Sequence, residues 1–144
     1  SESAVTAATA IGGNESILVV DDVEIQREIA TEILEPLGYS VHGVASGEAA
    51  IAWFEAGGDA DLVILDMIMD PGIDGLETYR RILQGRPGQK ALISSGFSET
   101  ERVRQALALG AGHYLKKPYT VSGLAQAVRS VLDGWGAAGG DSGR

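Results

Sequence analysis

The chain alternates short, continuously apolar runs with longer stretches in which apolar residues return every three or four positions. Five runs read as strands: Ser16–Val20, Ser40–Val44, Leu62–Asp66, Ala91–Ser95 and His113–Lys116. Runs rich in Val, Ile and Leu, with little polar alternation, suit parallel strands covered on both faces, so helices are expected on either side of a sheet. The helical period follows each run. Ile25, Ile29, Ile33 and Leu37 mark one stripe on a helix ending near Gly38, and Ser46 offers an N-cap to a second helix with Ile51 and Phe54 on its buried side. Leu76, Tyr79 and Leu83 define a third, which stops before Pro87. A fourth, from Ser98 to about Leu109, has only Val103, Ala106 and Leu107 as its stripe and is expected to be the least firmly packed. The fifth carries Leu124, Val128, Val131, Leu132 and Trp135 on one face.

Five strand-helix units in 144 residues predict one doubly wound α/β domain with a five-stranded parallel sheet in the order 2-1-3-4-5, since an eight-unit barrel needs more chain. Ligands of such sheets bind beyond the carboxyl ends of the strands, where the winding reverses. Residues 15–135 are expected to form the domain. The small-residue-rich stretch 1–14 reads as a flexible linker and the Gly-rich stretch 136–144 as a flexible tail, because neither can bury enough apolar surface to offset its ordering entropy.

Charge narrows the chemistry. Against 11 Lys and Arg stand 20 Asp and Glu, a formal charge of −9, which disfavours direct contact with nucleic acid and favours a cation as ligand. There is no cysteine, hence no disulfide, thiolate metal site or thiol nucleophile. No apolar run is long enough for a membrane span, and the reading is of a cytoplasmic domain without membrane contact.

The predicted strand ends collect a distinctive set of side chains: Asp21 and Asp22 after the first strand, Asp66 at the third, Ser95 at the fourth, and Lys117 after the fifth. Each has an ordinary alternative. Asp22 could cap the first helix, Asp66 could form a turn, Ser95 could simply end a strand and Lys117 could be solvated. Together they suggest more. Three neighbouring carboxylates repel unless a cation or a proton relieves them, and an all-oxygen set favours a hard ion such as Mg²⁺. An aspartate can also attack phosphorus, a transfer that needs mainly positioning and charge neutralisation.

The pieces ILVVDD (Ile17–Asp22), LVILDMIM (Leu62–Met69), Asp74-Gly75, Ser95-Gly96 and YLKKPY (Tyr114–Tyr119) resemble the receiver domain of two-component response regulators. The resemblance covers nearly all of 15–135 and implies a flavodoxin-like (βα)5 fold. It further implies transfer of a phosphoryl group from a histidine kinase or histidine phosphotransfer domain to Asp66. Mg²⁺, for which Mn²⁺ can substitute, would be held by Asp21, Asp22, Asp66 and the backbone carbonyl of Ile68. Lys117 would pair with the acceptor or phosphoryl oxygens, Ser95 would bond the phosphoryl group, and Ser95 and Tyr114 would switch the face made by the fourth helix, fifth strand and fifth helix. A homodimer through that face is left open. The activity implied is self-catalysed phosphorylation and dephosphorylation of the aspartate, in a domain belonging to a hybrid histidine kinase. A stand-alone single-domain regulator and an interaction-only pseudo-receiver are the alternatives. Two departures stand out: Val23 occupies a position often acidic in the family, and the loop from Asp66 to Pro71 is one residue longer than the commonest spacing, with Asp70 as the addition.

Overall fold

A computed structural model describes residues 11–96 and 100–134. Strands β1 (Ser16–Val20), β2 (Ser40–Val44), β3 (Leu62–Asp66), β4 (Ala91–Ser95) and β5 (His113–Lys116) alternate with helices α1 (Glu24–Leu34), α2 (Gly47–Glu55), α3 (Gly75–Gly85), α4 (Glu101–Ala108) and α5 (Val121–Leu132). A short 3-10 turn, Glu35–Leu37, extends α1. The sheet is wholly parallel in the order β2-β1-β3-β4-β5. The winding therefore reverses between β1 and β3, the place where such sheets hold ligands.

Strand parity divides the core into two layers. Leu18, Val20, Val63, Leu65, Ala91 and Ile93 face α2, α3 and α4, where they meet Ala50, Leu76, Tyr79 and Val103. Ile17, Val19, Leu62, Ile64 and Leu92 face α1 and α5, where they meet Ala30, Leu34, Leu124 and Val128. The continuous apolar pattern fits β1, β3 and β4, which are buried almost throughout, whereas the edge strands β2 and β5 expose part of their length.

Side chains set several helix starts. Ser46, Asp74, Thr100 and Thr120 each accept a hydrogen bond from a backbone N–H of the first turn. The fourth helix thus begins at Glu101, capped by Thr100, while the expected start at Ser98 lies outside the described residues, as does Trp135. The α1 stripe is rotated from its expected phase: Ala30 and Leu34 are buried, Ile33 and Leu37 pack beside them, and Ile25 is 55% exposed. Ile25 belongs to the first turn of α1 and packs in neither of the two core layers. The lead-in is docked where it can be described: Gly13 N–H donates to Leu37 O (3.1 Å), and Arg129 on α5 donates to Gly12 O and to the Glu15 carboxylate.

Gly75, the first residue of α3, is an obligatory close approach. A Cβ there would overlap the carbonyl oxygen of Asp66 and crowd the Cα of Met67. Both obstacles are backbone, so Gly75→Ala is expected to cost about 1–3 kcal/mol as overpacking and to displace the segment after β3. Urea unfolding with an unchanged m-value and a lowered midpoint would register it.

Candidate functional site

The carboxyl ends of β1, β3 and β5 bring three acids and one ammonium together. Asp21, Asp22 and Asp66 each offer a carboxylate oxygen, and these oxygens lie within 4.8 Å of one another. Asp21 is 1% exposed and Asp66 5%, while Asp22 opens to solvent. Lys117 reaches between the two buried acids, its Nζ 2.8 Å from Asp21 Oδ2 and 3.1 Å from Asp66 Oδ1. Both contacts are largely shielded from water, so screening by salt is weak.

These bonds discriminate among the readings of each residue. Asp22 does not cap α1: the N-cap is Val23, which receives no side-chain bond, and Val23 N–H itself donates to Asp21 Oδ1. Asp66 is the last residue of β3 and is held by Lys117 instead of making a local turn. Lys117 is two-fold paired and mostly buried. Ser95 ends β4, 2% exposed, and its carbonyl accepts from Lys117 N–H at 2.8 Å, which ties the lysine segment to β4. Tyr114, on β5, is half-buried against the α2–α4 layer of the core.

Charge at the site is unbalanced. Burial raises the Asp66 carboxyl from the ordinary 3.8 to about 6; the Lys117 ammonium opposes this, and the Asp21 and Asp22 carboxylates add to it. Burial also works against the Lys117 ammonium, but bonds to Asp21 and Asp66 outweigh it and hold the lysine above its ordinary range. Three carboxylates against one ammonium leave a deficit of positive charge that a dication would meet. All candidate donors are oxygen, the preference of Mg²⁺ or Mn²⁺, and the exposed Asp22 leaves room for the waters that Mg²⁺ retains. The residues present fit such an ion.

The segment following Asp66 is anchored at several points. Met67 and Met69 are buried on either side of the exposed Ile68, and Met67 N–H donates to Ser94 O at 3.0 Å. Gly75 N–H bonds back to Met67 O, and Ile73 N–H donates to the Glu48 carboxylate of α2 at 3.0 Å. The longer loop is thus pinned at both ends. Its added Asp70 is exposed and stands outside the three-carboxylate cluster.

Three contributors went unread in the sequence. Glu48 was hidden because its partner Ile73 is 25 positions away. Arg27 donates to the Asp21 carbonyl from half-burial on α1. Tyr119 is a half-buried neighbour: burial raises its phenol, Ser94 and Lys117 oppose that rise, and Asp21 and Asp66 add to it. It closes the YLKKPY run in the sequence, but no role was read for it there.

An open parallel sheet with an acidic cluster and a clamped lysine at its reversal point is an α/β ligand site of the doubly wound kind. Comparison with known proteins assigns the family. The model for the response regulator receiver domain matches residues 17–129, and the chain belongs to that family. It is 33% identical over 133 residues to the sensor kinase CckA of Brucella abortus, covering 92% of this chain and 14% of that protein. It is 36% identical over 121 residues to the response regulator UvrY of Escherichia coli K12, covering 83% of this chain and 55% of the relative. Among solved structures, a CheY-like receiver domain protein from Methanospirillum hungatei superposes with a TM-score of 0.77 at 28% identity, covering 84% of this chain and 95% of that one. The chain therefore spans only part of the curated relatives it matches.

Proposed function

We propose that this receiver domain accepts a phosphoryl group on Asp66 from a phosphohistidine, with Mg²⁺ held by Asp21, Asp22, Asp66 and the Ile68 carbonyl. The observation that carries the reading is the triad of carboxylates within 4.8 Å, with Lys117 on Asp66 Oδ1. Lys117 occupies one acceptor oxygen, which leaves Oδ2 to attack phosphorus. As the new O–P bond forms, the P–N bond of the donor breaks and the imidazole leaves with its electron pair, neutral when its other nitrogen carries the proton. The bound dication supplies neutralisation of the phosphoryl oxygens, the main requirement of such a transfer. Lys117 keeps the acceptor ionised and turned toward the donor, and Ser95 offers its hydroxyl to the phosphoryl group.

The new charge of about −1.5 to −2 draws donors toward Asp66. Ser95 and Tyr114 respond, and the face formed by α4, β5 and α5 repacks, a change eased by the short α4, in which only Val103 and Ala106 are buried. The partner is a histidine kinase or phosphotransfer domain. It must approach over the rim of the acceptor, where Val23, Ile25 and Ile68 leave apolar surface exposed on the segments after β1 and β3. The likeness to CckA supports a hybrid histidine kinase as the parent chain, and the likeness to UvrY supports a response regulator as the second reading. The setting is the cytoplasm. Among the described residues no helix is long and apolar enough to cross a membrane.

Intact-mass measurement after incubation with acetyl phosphate and Mg²⁺ tests the assignment. The wild type is expected to gain one phosphoryl group and Asp66→Ala none. An adduct on both proteins, or none on a wild type that binds the metal, overturns it.

A further inference from the structure

Asp21 has every polar group engaged. Its N–H donates to Val44 O at 3.2 Å, its Oδ1 accepts from Val23 N–H at 3.0 Å, and its Oδ2 accepts from Lys117 at 2.8 Å. The remaining group is its carbonyl, which accepts from Arg27 Nη1 at 2.8 Å. That carbonyl belongs to the peptide joining Asp21 to Asp22. Its orientation fixes the plane from which the Asp22 side chain departs, and Asp22 is exposed, with no capping role to hold it.

The arginine side chain runs against β2 on its way to this carbonyl. Gly43 lies beneath the Arg27 side chain, and a Cβ at Gly43 would come within 3.3 Å of Arg27 Cδ. Gly43 has no positive φ to require glycine, and glycine weakens a strand interior, so the close approach of Arg27 supplies a reason for it. Glu24, Glu28 and Glu32 line the same groove as Arg27, yet among the described residues the guanidinium makes no ion pair and bonds the neutral carbonyl. A cation directed past carboxylates onto one peptide is placed for geometry.

We infer that Arg27, seated over Gly43, is the positioning residue of the acidic site: it orients the Asp21–Asp22 peptide so that both carboxylates meet one dication with Asp66. The inference rests on the metal reading proposed above. It adds that the cation affinity of the site is set from α1 and β2, by two residues that do not touch the ion. Changing a group that orients a metal's ligands typically costs about 10- to 100-fold in affinity.

Mn²⁺ titration of the whole chain, followed by the electron paramagnetic resonance signal of the free ion, provides the test, with thermal midpoints recorded in EDTA. Arg27→Met keeps an apolar stem over Gly43 and is expected to weaken Mn²⁺ binding about tenfold, the low end for such groups. Arg27→Lys should recover only part of this, because an ammonium is a point charge without the planar fork. Gly43→Val alters no charge and puts a strand-favouring residue in β2, yet by displacing Arg27 it should weaken Mn²⁺ binding in the same direction without lowering the midpoint. A lowered midpoint with unchanged affinity in Arg27→Met would show a merely structural arginine. Full affinity in both Arg27→Lys and Gly43→Val would show a merely electrostatic one, and either result overturns the inference. A wild type that binds no Mn²⁺ overturns the metal reading itself.

Discussion

Replacing Lys117 by Met is expected to destabilise the metal-free domain by about 3–5 kcal/mol at neutral pH, the usual consequence of removing one partner from a buried ion pair. The lysine serves two acids at once, so its loss leaves Asp21 Oδ2 and Asp66 Oδ1 facing each other without a counter-charge. The deficit should respond to two remedies. Added Mg²⁺ restores positive charge at the same place, so the midpoint of Lys117→Met should rise more with the ion than that of the wild type. Lowering the pH toward 5 should also narrow the gap, because Asp66 takes up a proton and the repulsion falls. Urea unfolding of both proteins in EDTA and in Mg²⁺, at two pH values, checks each limb. An equal Mg²⁺ response in the two proteins would count against a shared electrostatic origin. Phosphorylation should not recover with stability, since Mg²⁺ does not replace the contact that orients Asp66 Oδ1.

The legibility of these features follows the range of the interactions behind them. The central strands β1, β3 and β4 were readable because apolar continuity is a local property and a strand buried on both faces tolerates little else, while the partly exposed edge strands β2 and β5 were read from short runs between helical stretches. The caps at Ser46 and Asp74 bond only three residues ahead, and Ser46 could be read directly. Longer reach erased the signal. Lys117 meets Asp21 across 96 positions and Asp66 across 51, so the residues alone gave candidates; the family resemblance supplied the pairing with Asp66, and the bond to Asp21 had no signal in the sequence. Arg27 on α1 packs against Gly43 on β2, and Glu48 on α2 bonds a loop after β3; neither relation has a pattern in the linear chain. The misplaced phase of α1 has a related cause. Ile25 fits a helical stripe by spacing but is exposed, and spacing carries no information about which neighbours the fold brings to a turn.

Asp66→Asn is expected to stabilise the metal-free domain at pH 7.5 by about 1–2 kcal/mol, an advantage that should disappear on acidification. Burial raises the Asp66 carboxyl to about 6 in the folded chain, whereas the unfolded chain has the ordinary 3.8. The folded state therefore binds its proton more tightly. Below about pH 4 both states carry it, and ionisation costs the fold nothing. Between about pH 4 and 6 the unfolded chain ionises first, and stability is lost as the pH rises; above 6 the whole cost is present. Each tenfold difference in proton affinity between the two states corresponds to about 1.4 kcal/mol, and solvent reaching the site through the open Asp22 side reduces the full figure. The amide retains an oxygen for Lys117 and carries no charge, so it removes the cost without removing the bond. The same proton competes with the cation. Mg²⁺ affinity of the wild type should fall by up to about tenfold per pH unit below 6, because a metal-ligating carboxylate must first lose its proton. Thermal midpoints of wild type and Asp66→Asn from pH 4 to 8, with EDTA or Mg²⁺, contain both effects: without the ion the two curves converge at low pH and diverge at high pH, and with it the wild type regains the difference. Under the proposed function, a carboxylate that is costly to ionise alone would be stabilised in its ionised form by the cation, so metal loading would favour the same state of Asp66 that phosphoryl transfer needs.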